Sequence, residues 1–516
     1  MSTHAADVYH DRAALLDIAR RGIVRLVRGE YLIELYERSE PVKRRQSLPE
    51  EAFVSMKDLD NERLEIVAVS YCWCEKEHPD RSCYHLPVVA KMVKAMMAGK
   101  HNPDFDNCSI DDSHGRCTLL RHLHQSGFRF GASSVAIFWD FMSLPQDDLT
   151  KDPPNRRTAK EEAIFKQALD SINAWYGSTH VTKLILTDLP ADATRKSYHK
   201  SGWTCFEREV ANVITPPSRM LTLTRRTSAY ERLDKDHFGE RDFIVIALRA
   251  SQAGQRSGPM LCEEFERRLE GLTFTNGSDK KLVAKKYREA FSTLVEKATS
   301  INFSGYNMST KVAEEALQLA LKHCTHLDDV DLSCNPGWIA PLDVLMEKLA
   351  AHRCTLRSLH LAANLSFSGD VGCIGSFVNL RRLKCSGLVS IQGTGPFSGN
   401  IDSLSCLASL EELDLSHNEK IIGDVGGLSG LRRLQQLHLH CTKVSGDIAS
   451  LSSLVNLQIL NLGFTEVSGD IGALSSLQEV QDLNLNHTLV HGEKSALRRH
   501  LPKAQIYCAK RPSRAP

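Results

Sequence analysis

LDLSHN (413–418), LHLHCT (437–442), LNLGFT (460–465) and LNLNHT (483–488) are four versions of one phrase. Their first leucines, Leu413, Leu437, Leu460 and Leu483, stand 24, 23 and 23 residues apart. A second phrase follows three of them: IIGDV once, then VSGDI twice, each leading into L-S-x-L. A fixed step with L-x-L alternation predicts short strands whose leucines point inward, one strand per turn of a stacked coil. Looser turns precede the regular ones: INFSGYN (301–307), VDLSCN (330–335), LHLAAN (359–364) and LKCSGL (383–388). Their steps are 29, 29 and 24 residues, then 30 to Leu413, and the first two have room for a helix, as over 310–323. IYCAK (506–510) reads as a closing strand or cap. About eight turns result, more than the three or so that such a stack needs.

Residues 300–516 are therefore read as a leucine-rich repeat solenoid. The shorter turns resemble plant-type repeats, which have L-S-G-x-I-P where VSGDI stands here without the proline. His417, His438, His440 and His487 occupy variable positions of L-x-L-x-x-N and are expected on the concave face. With Cys441 and Phe464 they form an expected contact patch for a protein partner. A solvated or partner-contacting face suits these imidazoles better than a metal site.

Composition bounds the rest. A net charge of +1 with 25% charged residues over 516 residues asks for neither nucleic acid nor an anionic surface. Fifteen cysteines at irregular positions read as free thiols of a reducing compartment. MSTHAADVYHDR lacks the apolar core of a secretion signal, and no run of 18 apolar residues exists. The expectation is a cytoplasmic protein that spans no membrane and requires no cofactor.

Ahead of the solenoid, residues 5–37 carry an apolar stripe near the 3.6 period, so 1–45 is read as an N-terminal helix packed on the next domain. LEIVAVSYCW (64–73), VAIFWDF (135–141) and VTKLILT (181–187) read as buried strands, with a helix over 158–176 opened by the capping box Thr158/Glu161. Strands alternating with helices predict an α/β domain with a parallel sheet over 46–215. Ligands of such sheets lie beyond the carboxyl ends of the strands, at Ser70–Trp73 and Asp140–Gln146 here. FIVIALR (243–249) reads as a strand or short helix. Residues 216–299 are expected to be a helical adaptor capping the solenoid.

Three blocks then resemble the heterokaryon-incompatibility (HET) domain, itself similar to the TIR fold. AVSYCW (68–73) is similar to its opening strand, FWDFMSLPQDD (138–148) to its central block and GWTCFERE (202–209) to its closing segment. Cys74, Ser143-Leu144-Pro145 and Ser201 depart from the pattern. The resemblance implies an effector or self-association module in an intracellular recognition protein. It also implies a competing enzyme: a TIR-type NAD glycohydrolase regulated by the solenoid, with NAD as substrate. Glu207 would stabilise the positive charge that develops on ribose as nicotinamide leaves. Asp140 would face the ligand crevice, with Ser70, Tyr71 and Trp73 lining it and Trp203 walling it. Thr204-x-x-Glu207 is equally a capping box, in which Glu207 merely ties its own helix. Asp140 is equally an acceptor that orders its loop. No glycine-rich phosphate loop is present. Cys72, Cys74, His78, Cys83 and His85 mimic zinc ligands, but a C-x-C across a strand end is not a zinc knuckle, so no metal is expected.

Overall fold

The computed structural model describes residues 7–98, 132, 134–151, 153–194, 197–225, 228–234, 246–247, 250, 256–274, 277–306, 308–324, 326–364, 366–387 and 395–509. They form two compact units, one ending at Lys297 and the other beginning at Ala298. Most of FIVIALR (243–249) lies outside the described residues.

Five strands build the sheet of the first unit: β1 (Val27–Arg28), β2 (Leu64–Tyr71), β3 (Ser134–Phe138), β4 (Val181–Leu186) and β5 (Met220–Leu223), in the order β1-β3-β2-β4-β5. β2 to β5 run parallel, and β1 lies antiparallel on β3. Every residue of β2 is buried, because helices cover both faces of the sheet. Val67, Val69 and Ile137 pack with Val89 and Val93 of the helix Leu86–Ala98 and with Leu32 and Leu35 of the helix Gly29–Glu37. On the opposite face Trp175 stacks on Phe138, ring centroids 5.1 Å apart. Arg219 ties β5 in by bonding buried Glu65 of β2 at 2.8 Å.

Several expected boundaries move. The expected single N-terminal helix is three short ones, Asp7–His10, Arg12–Arg20 and Gly29–Glu37, with β1 between the last two. Gly22, at φ +70°, ends the second helix because a left-handed residue cannot continue it. The segment is thus part of the α/β unit, not a domain beside it. The expected helix over 158–176 breaks at Ser171 into Ala159–Asp170 and Ile172–Gly177, while the Thr158/Glu161 capping box forms. The expected adaptor is also redistributed. Met220–Leu223 joins the sheet, and the helices Cys262–Leu269 and Asp279–Phe291 belong to the same unit. Glu209 of the helix Gly202–Ile214 bonds Arg268 of the former at 3.2 Å, and Trp203 bonds Asp279 of the latter at 3.0 Å.

The second unit is the solenoid. Nine parallel strands, from Ser300–Asn302 to Gln505–Tyr507, form one sheet. Register is fixed by the first apolar residue of each turn: Ile301, Val330, Leu359, Leu383, Leu413, Leu437, Leu460, Leu483 and Ile506 sit side by side. All are buried. The IIGDV and VSGDI phrases lie in a second parallel sheet of seven strands, including Lys420–Asp424, Lys443–Asp447 and Glu466–Asp470. Each aspartate caps the tight turn that follows; Asp424, for example, accepts from the Gly426 amide at 2.7 Å. The glycine of the next turn packs on that same aspartate. A Cβ on Gly446, whose φ is +105°, would lie 2.2 Å from Asp424 Oδ1. The repeat G-D is therefore an interlock between neighbouring turns.

This interlock predicts that Gly446→Ala destabilises the solenoid by about 2 kcal/mol, from left-handed backbone strain and loss of the cap geometry. Gly430→Ala, where a Cβ meets nothing within 4 Å, serves as the control. Its denaturant midpoint should stay near wild type. Equal shifts in the two variants would refute the interlock.

Candidate functional site

β2 ends in Ser70 and Tyr71, and the pleat sends these neighbours to opposite faces. Ser70 is buried and its Oγ donates to Glu207 Oε2 at 2.6 Å. Tyr198 lies 2.7 Å from the same Oγ, completing a chain in which the tyrosine hydroxyl donates to the serine and the serine to the glutamate. Tyr176, whose hydroxyl donates to the Val69 carbonyl at 3.1 Å, also interacts with the Glu207 carboxyl. On the other side Tyr71 Oη donates to Asp140 Oδ1 at 2.9 Å and Trp73 Nε1 to Asp140 Oδ2 at 3.0 Å. The Phe141 amide adds a third bond at 2.7 Å. Asp140 thereby orders the loops after β2 and β3.

Both carboxyls are shifted upward. Desolvation pushes Glu207 well above the usual carboxylate range; the Ser70 bond opposes this and the nearby Asp140 charge adds to it. Desolvation also raises Asp140, against the bonds from Tyr71 and Trp73. The two acids lie within electrostatic reach of each other, each costly to ionise and each held by its own set of donors.

Ser70, Tyr71, Trp73, Asp140 and Glu207 thus gather at the carboxyl end of the sheet. Trp203 does not join them: it turns toward Asp279 and packs edge-on against Phe206. The Thr204/Glu207 capping box does not form either. The helix begins at Gly202, so Glu207 lies beyond its first turn, and Thr204 Oγ1 donates to the Tyr198 and Ser201 carbonyls. Tyr176 and Tyr198 carry no spacing signal in the sequence, the one in an apolar helix and the other in a polar loop. Among the described residues no three His, Cys, Asp or Glu side chains converge as metal ligands. His78 uses both ring nitrogens on backbone, at Val42 O and Asp80 N.

The solenoid distributes its expected patch over two positions. His438 lies on a strand of the nine-stranded sheet. His417, Cys441, Phe464 and His487 do not. They occupy the left-handed turn that follows each strand, at φ 57° to 59°, because the chain must bend there toward the second sheet. They form a ridge beside the strands. His440 Nε2 lies 2.8 Å from His417 Nε2, with ring centroids 4.4 Å apart. Burial and the facing imidazole hold His440 down to about 4, so His440 is neutral at physiological pH.

No protein-family model and no curated protein matches this sequence. Among solved structures the chain is similar to internalin InlF of Listeria monocytogenes, at 17% identity over 42% of this chain and 56% of that one, TM-score 0.29. It is also similar to the ectodomain of the Arabidopsis receptor kinase HAESA in complex with an IDA peptide hormone ligand. That match has 18% identity over 40% of this chain and 33% of that one, TM-score 0.32. The chain therefore covers less than two thirds of either protein. The leucine-rich repeat architecture rests on the chain's own nine strands in register.

Glu207 provides a pH test. Its folded pKa lies above the ordinary 4.5, so the unfolded chain ionises first as pH rises. Wild-type stability should fall as pH climbs from about 4.5 toward the folded pKa. Glu207→Gln removes that loss. Its unfolding midpoint should gain on wild type with rising pH and approach a constant offset below 4.5. A pH-independent difference would show that the carboxyl is not desolvated.

Proposed function

We propose that this chain is a cytoplasmic recognition and signalling protein. Its solenoid holds a protein partner on the concave strands and the adjoining ridge. Its α/β domain, which resembles HET and TIR domains, acts as effector or self-association module. The observation that carries this reading is the division of labour on each turn. The leucines are spent inward, and strand positions such as Asp414, His438, Asn461 and Asn484 remain only partly buried, as residues on an open face would. Affinity capture with the full chain and with His438→Glu tests it. A partner retained by wild type and lost from a folded His438→Glu variant is the expected result. Equal capture by both would place the partner elsewhere.

A second reading, NAD glycohydrolysis, is favoured by one observation: Glu207 is held by Ser70 and not by the amides of its own helix. Its carboxyl could then face a cationic centre. Full-length protein should be assayed for nicotinamide release, dilute and crowded, beside Glu207→Ala. Turnover abolished by the substitution would make the α/β domain an enzyme. No turnover in either state, with both proteins folded, leaves it a self-association module.

A further inference from the structure

We infer that the C-terminal turns of the solenoid grip an extended peptide by its main-chain carbonyl oxygens, through the side-chain amides of Asn461, Asn484 and Asn486. This rests on the reading of the solenoid as a protein-binding surface, and it names the form of the partner and the atoms that hold it.

The three amides are fixed by their own turns. Asn461 Oδ1 accepts from the Gly463 amide at 3.3 Å, Asn484 Oδ1 from that of Asn486 at 3.0 Å, and Asn486 Oδ1 from that of Ala509 at 2.7 Å. A backbone N–H can be met only by the oxygen, so each NH2 is left for another acceptor. Among the described residues none of the three NH2 groups finds one, and none is closed off from solvent. Gly463 keeps the Asn484 amide uncovered, since a Cβ at 463 would stand 3.2 Å from Asn484 Nδ2. The fold does not ask for these amides. Asp331 and Asp414 hold the same place in their turns as Asn461 and Asn484, and they make the same bond, to the Ser333 and Ser416 amides, at 3.0 Å. What asparagine adds there is a pair of donors. Ser416, His440 and Gly463 stand in earlier turns where Asn486 does, so the turn does not select that amide either.

Spacing selects the ligand. Asn484 and Asn486 are half-buried and Leu485 between them is buried, so the two amides stand on one face, about 7 Å apart along the strand direction. An extended peptide repeats its same-side carbonyls at about that interval. Asn461 lies in register beside Asn484 on the next strand, about 5 Å away. Asp482 shares the strand of Asn484 and disfavours a carboxylate ligand, so neutral carbonyls are the acceptors that fit. Phe464 belongs to the same two turns, its amide bonding the Asn486 carbonyl at 2.8 Å. Its half-exposed ring adds apolar surface there for a peptide side chain.

The test uses the full chain as bait for a display library of random linear peptides, followed by affinity measurement on one selected sequence. Asn484→Asp and Asn486→Asp keep the turn-closing oxygen and lose the donor. Each should leave the unfolding midpoint near wild type and weaken peptide binding about tenfold. Replacing single carbonyl oxygens of the peptide by sulfur, a poorer acceptor, should weaken wild-type binding at two positions two residues apart. That loss should vanish in the matching aspartate variant. Val455→Ala, at an exposed apolar residue outside 460–465 and 483–488, should leave affinity unchanged. Full affinity in both aspartate variants, or sulfur replacements without effect, would overturn the carbonyl inference and leave the protein-binding reading standing. A wild-type chain that selects no peptide would overturn it as well, and the His438→Glu capture would then judge the broader reading separately.

Discussion

Leu437 is buried because Leu413 lies on one side of it and Leu460 on the other. No single turn of this solenoid could hide its own leucines, since three strand residues and a tight turn have no interior. The stack makes one, and each turn depends on its neighbours. The G-D interlock adds direction to that dependence. Asp424 caps its own turn while occupying the space a side chain at Gly446 would need, so sequence at one turn constrains sequence at the next. Stability in such an array is the sum of turn and interface terms, and it propagates along the coil.

The α/β unit obeys a different constraint. The helix Gly202–Ile214 has three attachments in different directions. Glu207 reaches inward to Ser70; Glu209, wholly buried, is bonded by Arg208 and Arg268; Trp203 bonds Asp279. Gly202 lies so close to the Phe274 ring that a Cβ there would stand 2.0 Å from it. The position of the Glu207 carboxyl is therefore set by residues both well before and well after it in the chain. The stretch expected to be a helical adaptor capping the solenoid packs on the helix that carries Glu207.

The two units differ in where their polar groups lie. The α/β site gathers acids in desolvated surroundings, held by tyrosine, serine and tryptophan donors. The solenoid shows rings at strained turns beside an open polar sheet.

The sequence by itself determined the repeat, the inward leucines and their register, because a fixed step and period-two alternation are local properties of the chain. It also determined the buried parallel strands and the Thr158/Glu161 cap, both written in adjacent residues. Only the tertiary structure decided that β1 and β5 complete the sheet, since short strands are defined by their partners. It decided the backbone of the ridge as well: L-x-L-x-x-N does not disclose that the residue before its last position turns left-handed until the second sheet is in place. And it decided the site. Ser70 and Glu207 lie 137 residues apart, and Thr204-x-x-Glu207 read locally as a cap. Which bond the carboxylate makes depended on where the helix starts and what the sheet places beneath it, and neither is a property of four residues.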